Sequence, residues 1–288
     1  MVKEINRIGL FCHPTNFSNP QLIDQIVNWA SQHGVKIVMD REEAKKVGHS
    51  NLGSPRELVH ELIDMAVVLG GDGSILKAVR EFAEYSIPVA GINLGRLGFL
   101  TMGSVGNTFK ILEKLRTGRY NLEDRMMLAA TITRNGKQVF QRTALNDVVI
   151  KNTVAGVISL DVSISGTEVS SFCGDGVIFS SPTGSTAYSL SVGGPIVPPW
   201  MSILLICPIS SHTLGTRPVI TSDHEKITAI LRARFFSKVS IFTDGQDSFF
   251  VEDGDQIQVC KGKNIAKIVV THRRNFFKVL RTKMKWGK

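Results

Sequence analysis

A glycine-rich turn that carries one carboxylate occupies residues 70–74, whose sequence is Gly-Gly-Asp-Gly-Ser. It follows the apolar run Met65 to Leu69 and precedes a stretch with helical spacing, which is where open α/β sheets place ligands. Glycines allow close backbone approach, and the free N–H groups of a helix N-terminus favour phosphate. Asp72 could accept a proton from a hydroxyl that attacks phosphorus, or it could simply cap the helix. The turn alone leaves both interpretations open.

A second glycine-rich turn follows the next predicted strand and spans residues 91–100. Its three glycines indicate close approach of the backbone to another group. Arg96 could bind a phosphate through two parallel hydrogen bonds, or it could be an exposed loop arginine. The first turn is neither a P-loop, which needs the pattern GxxxxGK(S/T), nor a dinucleotide fingerprint GxGxxG, because Leu76 stands at the last glycine position of the latter.

The richest cluster of polar residues runs from Gly174 to Ser191, a predicted strand, turn and helix start. Its hydroxyl residues surround Gly184, and we expect their oxygens to converge with free N–H groups on a sugar or purine. Asp175 could hold ribose hydroxyls. The pair Asn146 and Asp147, at the start of another strand, offers an amide that can pair with an adenine edge and a second carboxylate.

The elements that position these residues fall into three segments. Residues 1–118 alternate apolar strand runs with capped amphipathic helices, which predicts a parallel α/β layer. Residues 119–271 change to short period-two runs, with the hairpin dipeptide Asn135-Gly136, which predicts a β-rich second domain. In residues 272–288, apolar side chains recur at helical spacing from Phe276 to Lys285 and predict a closing helix.

Composition narrows the class of protein. The 288 residues carry 34 Lys and Arg against 25 Asp and Glu, a net charge of +9, which suits an anionic partner. The basic residues are dispersed except near the end of the chain, which argues against a nucleic-acid protein. The apolar stretch from Ile196 to Ile209 is broken by prolines and too short for the ~20 residues of a membrane span. Four scattered cysteines predict neither a disulfide framework nor a metal site, and we expect a cytoplasmic protein.

The motifs, taken in order, resemble the NAD kinase family of the ATP-dependent, bacterial type over nearly the whole chain. They are GGDGS at 70–74, GINLGRLGFL at 91–100, LNDVVI at 145–150, DGVIFSSPTGSTAYSLSVGGPIV at 175–197, HTLGTRPVI at 212–220, DGQ at 244–246 and the closing Lys283-Met-Lys-Trp286. The GGDG turn alone is shared with diacylglycerol kinases, whereas the PTGSTAYSLS run is specific to NAD kinases. The resemblance implies transfer of the γ-phosphoryl group of ATP to the 2′-hydroxyl of the adenosine ribose of NAD, which gives NADP.

The resemblance also implies a fold and an assembly. The fold is a Rossmann-like α/β N-terminal domain and a β-sandwich-like C-terminal domain, with a C-terminal helix that returns to the first domain. The assembly is a homo-oligomer, a dimer or a tetramer.

By the same resemblance, Asp72 is the catalytic proton acceptor and NAD is bound by residues from several motifs. The implied NAD-binding residues are Asp72, Gly73, Lys77, Asn146, Asp147, Asp175, Thr186, Ala187, Tyr188, Ser189, Leu190, Ser191 and Gln246. This chain departs from the family at two positions. Asp147 stands where glutamate is usual, and Cys173 stands where some relatives have arginine.

The triphosphate of the donor calls for Mg²⁺ or another divalent cation, and no set of protein metal ligands is predicted, so we expect the metal to arrive with ATP. The expected partners are NAD and ATP, with no nucleic acid and no membrane. A lipid kinase shares the GGDG turn but needs an apolar entrance. A dinucleotide-binding regulator would retain Asn146, Asp175 and Tyr188 without needing Asp72.

Overall fold

Short apolar runs bounded by turns form the parallel strands of the first unit. The computed structural model describes residues 4–12, 20–95, 98–213, 215–232, 238–270 and 276–285. Contacts divide the chain into one unit formed by Met1–Asp124 with Ala266–Lys288 and another formed by Arg125–Ile265. Each unit has its own hydrophobic core.

The first unit contains six complete strands and six α-helices within the described residues. They are β1 (Arg7–Cys12), α1 (Pro20–Gln32), β2 (Lys36–Asp40), α2 (Arg41–Lys46), β3 (Gly53–Ser54), α3 (Val59–Leu62), β4 (Met65–Leu69), α4 (Asp72–Phe82), β5 (Val89–Asn93), β6 (Thr101–Ser104), α5 (Thr108–Arg116) and, from the end of the chain, Phe276–Met284. The strands pair in parallel in the order β5, β4, β1, β2, β3, with β6 also on β5.

Burial explains the largely apolar composition of β4 and β5. All five residues of β4 and all five of β5 are buried, as expected for parallel strands covered on both faces. The predicted α/β class of this unit is confirmed. Helix α4 begins at Asp72, directly after the Gly-Gly turn, because the N–H groups of Ser74 and Ile75 both bond back to the Gly71 carbonyl.

The second unit is built from antiparallel strands and a short helix. In chain order they are β7 (Asn121–Arg134), β8 (Lys137–Ala144), β9 (Asp147–Asn152), β10 (Ile158–Ile164), β11 (Thr167–Gly174), β12 (Gly176–Ser180), α6 (Tyr188–Ser191), β13 (Ile203–Ile209), β14 (Val219–Ser222), β15 (Ile227–Arg232), β16 (Val239–Thr243), β17 (Asp247–Val251) and β18 (Gln256–Val270). Both β7 and β18 have residues in each unit, and α7 (Phe276–Met284) then closes the chain.

Two layers of strands enclose the second core. One sheet has the order β14, β13, β12, β9, β16, β17, and β11, β10, β15 and β18 pair in the other layer. One core cluster contains Ile150 and Ile206 from the first layer together with Leu160 and Leu231 from the second. The β-sandwich-like second domain is therefore confirmed. The Asn135-Gly136 dipeptide adopts φ of 50° and 75°, the left-handed pair that a two-residue hairpin requires.

Candidate functional site

The Asp72 carboxylate lies at the carboxyl edge of the first unit's sheet. Strand β4 ends at Leu69, and Gly70 donates its N–H to the Ile92 carbonyl of the neighbouring strand at 3.0 Å. The chain then turns through Gly71 into α4, whose first residue is Asp72. The structure therefore places this carboxylate where the sequence predicts it, at a helix N-terminus on the carboxyl edge of the sheet. Open α/β sheets bind ligands at that edge.

Asp72 does not cap its helix. Gly71, which has no side chain, occupies the cap position, and Asp72 is already the first residue of the helix. Instead, the N–H of Phe99 donates to Oδ2 at 2.9 Å and the N–H of Leu100 donates to Oδ1 at 3.1 Å. The capping interpretation is thus wrong. The second glycine-rich turn orients both oxygens, while 31% of the side chain stays exposed to a reactant.

The C-terminal helix supplies a cation to the same carboxylate. The ammonium of Lys283 lies 3.9 Å from Asp72 Oδ2 and 4.5 Å from the centroid of the Phe99 ring. The rings of Phe99 and Phe276 are 6.2 Å apart, so an aromatic contact places α7 against the turn. The chain therefore brings Lys283 to a carboxylate that lies far from it in the sequence.

Gly98 is required by the position of Asp72. A Cβ on residue 98 would lie 2.0 Å from Asp72 Oδ1, which no side chain tolerates. Gly98, the second glycine of the GRLGFL motif, thus leaves room for the carboxylate. The sequence predicts close approach of some group to this turn but does not identify that group as Asp72. Arg96, the candidate phosphate ligand, lies outside the described residues.

A cavity of about 330 Å³ opens in the second unit between β9, the start of α6 and the turn after β16. Its lining residues are Asn146, Asp147, Val149, Lys151, Ala187, Tyr188, Phe242, Asp244 and Gly245. Four of them, Asn146, Asp147, Ala187 and Tyr188, were predicted to bind NAD. The cavity combines two carboxylates, an amide, an ammonium and two aromatic rings, which suits a ligand with both polar groups and flat rings.

The backbone before β9 is held from two sides. Asp244 accepts hydrogen bonds from the N–H groups of Leu145, Asn146 and Asp147 at 3.0, 2.7 and 3.3 Å. On the other side, the hydroxyl of Ser181 donates to the Leu145 carbonyl at 2.5 Å and its N–H donates to the Asn146 carbonyl. These bonds fix the position from which the Asn146 side chain faces the cavity.

Three of the hydroxyls around Gly184 bond within this scaffold. Ser180, Ser181 and Ser185 are fully buried, and their hydroxyls bond to backbone carbonyls. The expectation that these oxygens face a sugar or purine is therefore wrong for all three. A buried hydroxyl with a backbone partner satisfies both groups, which is why serines accumulate where a turn packs tightly.

The remaining predicted NAD residues lie at several distinct places. Gly73 and the exposed Lys77 are in the first turns of α4. Six others are not among the residues that line the cavity: Asp175, Thr186, Ser189, Leu190, Ser191 and Gln246. Ser189 bonds to the buried Cys207 sulfur at 3.2 Å, Asp175 is exposed in the bend between β11 and β12, and Gln246 is in the turn after β16.

Lys151, Phe242 and Asp244 line the cavity and were not predicted. Two signals in the sequence could have identified Lys151 and Asp244. Alternation along β9 puts Lys151 on the same face as Asp147, and Asp244 opens the DGQ motif of which only Gln246 was chosen. Phe242 carries no comparable signal, because an aromatic residue in a strand is ordinarily a core residue.

Asp147 and Asp244 form a buried pair of carboxylates. The two residues are 5% and 9% exposed, and Asp244 holds three N–H donors, which favour its charged form. Burial, reinforced by the charge of Asp244, raises the pKa of Asp147 to about 7. At neutral pH, part of the molecules therefore have a protonated Asp147, whose carboxyl can donate a hydrogen bond. This carboxyl is the shorter group that stands where glutamate is usual.

This pKa predicts a pH-dependent stability. In the unfolded chain Asp147 ionises near pH 4, whereas in the folded protein it keeps its proton up to about pH 7. The unfolded state therefore binds fewer protons in that window, and the stability contributed by Asp147 falls as the pH rises from about 4 to about 7. We expect Asp147→Asn to lose this dependence, so that its midpoint of thermal unfolding rises relative to wild type across the window.

Thermal unfolding at intervals from pH 4.5 to 8.5 measures this effect. Glu168→Gln, which removes an exposed carboxylate from β11, serves as the control and should parallel wild type. The raised pKa of Asp147 is contradicted if the thermal midpoints of Asp147→Asn and wild type differ by the same amount at every pH.

Membrane-spanning helices and clusters of metal ligands are both absent from the described residues. No helix among them is long and apolar enough to cross a membrane. In the same part of the chain, no three His, Cys, Asp or Glu side chains are grouped so that they could hold a metal ion.

Comparison with known proteins identifies the family. The family models described as the ATP-NAD kinase N-terminal domain and the ATP-NAD kinase C-terminal domain match residues 8–120 and 145–271. An NAD kinase of Natranaerobius thermophilus is 39% identical over 97% of this chain and 98% of its own length. An NAD kinase of Geobacter sulfurreducens is 37% identical over 98% and 99%.

Solved structures agree with these matches. A crystal structure of an NAD kinase from Archaeoglobus fulgidus in complex with ATP is 25% identical, with a TM-score of 0.76 over 97% of this chain and 98% of that one. A yeast NADH kinase complexed with NADH is 22% identical and has the same fold, with a TM-score of 0.89 over 99% of this chain and 89% of that one.

These matches define an enzyme, a phosphotransferase with an alcohol acceptor. The chain belongs to the NAD kinase family, and its activity is that of an NAD kinase. The resemblance read from the motifs is confirmed. The lipid-kinase, regulator and nucleic-acid alternatives are thereby set aside.

Proposed function

We propose that Asp72 is the proton acceptor when the γ-phosphoryl group of ATP is transferred to the 2′-hydroxyl of the adenosine ribose of NAD. The observation that carries this proposal is the geometry of its carboxylate. Each oxygen already accepts one backbone N–H, from Phe99 or Leu100, and a carboxylate oxygen has a second lone pair for a substrate hydroxyl. The side chain is thus oriented before the substrate arrives.

A carboxylate is basic enough for this reaction. In a loose phosphoryl-transfer transition state, the attacking hydroxyl becomes acidic only as its bond to phosphorus forms. The bond from the γ-phosphorus to the bridging oxygen of ATP breaks, ADP leaves, and the hydroxyl proton passes to Asp72. Lys283, 3.9 Å from Asp72 Oδ2, reduces the repulsion between this carboxylate and the incoming phosphoryl group.

The cavity of the second unit binds part of the NAD molecule in this proposal. Asn146 pairs with the adenine edge, Asp147 hydrogen-bonds to the ligand, and Ala187 and Tyr188 form its apolar wall. For Gly73, Lys77, Asp175, Thr186, Ser189, Leu190, Ser191 and Gln246, the support for a role in NAD binding is the family motif in which each stands.

Mg²⁺ or another divalent cation enters as part of the Mg–ATP substrate, where it neutralises charge on the phosphates. We also propose a homo-oligomer, a dimer or a tetramer, in the cytoplasm. The family resemblance supports the assembly, and the scattered cysteines with no predicted disulfide support the location.

A coupled assay tests the reaction and the metal requirement together. Purified protein, NAD, ATP and Mg²⁺ are combined, and NADP is detected with an NADP-specific dehydrogenase. We expect NADP to form, to fall below detection when EDTA is in excess over Mg²⁺, and to return when Mg²⁺ is restored. NADP formation unaffected by EDTA would contradict the metal requirement, and NADP formed only with inorganic polyphosphate would contradict ATP as donor.

A further inference from the structure

Lys151 lies in the cavity of the second unit at the end opposite to Asp147. The two residues are four positions apart on β9 and share one face of the strand with Val149. At about 3.3 Å per residue, their backbone positions are separated by about 13 Å. The cavity therefore has a carboxyl end and an ammonium end, both provided by a single strand.

Aromatic rings flank the ammonium of Lys151. It lies 5.1 Å from the centroid of the Phe242 ring and 6.0 Å from that of the Tyr188 ring. Ring faces attract a cation but accept none of its N–H groups as a carboxylate would. Among the described residues, no carboxylate forms an ion pair with Lys151, although Asp147 and Asp244 line the same cavity.

A half-buried cation with only aromatic neighbours favours an anionic ligand group. The three N–H donors of an ammonium are available to phosphate oxygens, and such charge-assisted bonds are about twice as strong as neutral ones. At the other end, the Asp244 carboxylate repels phosphate. The charge distribution therefore orients a ligand with its phosphate at Lys151 and its neutral hydrogen-bonding edge at Asn146 and Asp147.

We propose that Lys151 is the phosphate-binding residue of this cavity, so that the cavity selects nucleotides over nucleosides. This inference rests on the proposed function of the cavity as part of the NAD site. The phosphate has two possible sources: the diphosphate that NAD and NADP share, or the 2′-phosphate that only NADP carries. The test separates the two.

Isothermal titration calorimetry of the full chain with NAD, NADP and adenosine provides the test. Lys151→Met removes the charge with little change of shape, and Lys137→Met removes one from the exposed β7–β8 hairpin as the matched control. We expect Lys151→Met to weaken the binding of NADP about tenfold or more, to weaken NAD equally if the shared diphosphate is the group bound, and to leave adenosine unchanged. Lys151→Arg should stay within about threefold of wild type, because guanidinium also binds phosphate and stacks on aromatic rings.

The pattern across ligands identifies the phosphate. If the diphosphate is bound, NAD and NADP lose equal affinity; if the 2′-phosphate is bound, only NADP does. Steady-state kinetics with NAD should then show a raised KM and an unchanged kcat in the first case. If Lys151→Met lowers the thermal midpoint, Lys151→Gln takes its place.

The inference is overturned if both phosphate-bearing ligands bind Lys151→Met as they bind wild type, if adenosine loses as much affinity as NADP, or if Lys137→Met gives the same loss. Failure of NAD to bind the wild-type protein would instead overturn the proposed function, and this inference with it.

Discussion

Asp72→Asn is expected to lower kcat by about 10²–10⁴-fold, because the amide can no longer take the proton of the attacking hydroxyl. The KM for NAD should change little, since the lost interaction belongs to the transition state. The coupled assay measures both constants. Asp124→Asn, an exposed aspartate in β7, is the control and should retain wild-type turnover.

The size of the effect separates catalysis from structure. Both Asp72 oxygens accept a backbone N–H, so asparagine must present its NH₂ to one of the two donors and lose a bond to Phe99 or Leu100. One such hydrogen bond contributes about 1 kcal/mol, which corresponds to roughly fivefold. A loss of kcat confined to about fivefold would therefore make Asp72 a support for the turn and exclude it as the base.

Gly184→Ala is expected to destabilise the second unit by about 3 kcal/mol, at the upper end of the usual cost of overpacking. The new Cβ would lie 2.0 Å from the Asn146 carbonyl oxygen and 2.6 Å from the Ser180 hydroxyl. The first of these contacts is backbone held by Asp244, so it cannot move away cheaply. We expect the thermal midpoint to fall by about 6–12 °C and NAD affinity to fall with it.

Gly215→Ala is the matched control, because a Cβ there meets nothing within 4 Å. Differential scanning calorimetry measures the midpoints, and titration with NAD measures the affinity. A Gly184→Ala protein with a wild-type midpoint would show that the 183–186 turn moves away from the Asn146 carbonyl at little cost, which would contradict the expected overpacking.

Local sequence patterns determined the class of the protein. A five-residue apolar run followed by Gly-Gly-Asp is enough to predict a buried parallel strand, a tight turn and a helix start, because each depends on neighbours in sequence. The same holds for the Asn135-Gly136 hairpin, which requires left-handed backbone at both residues. Linear motifs of this kind also carried the family resemblance, including Asp72 and the Asn146-Asp147 pair.

Tertiary structure alone decided what each polar side chain does. The serines around Gly184 match a ligand-binding pattern in sequence, yet Ser181 and Ser185 satisfy buried carbonyls. Asp244 accepts a hydrogen bond from the N–H of Asn146, which is 98 residues away in the sequence, and no local rule predicts such a pairing. Hydrogen bonds, charges and close contacts depend on distance in space, so Lys283 beside Asp72 and Lys151 between two rings became visible only once the chain was folded.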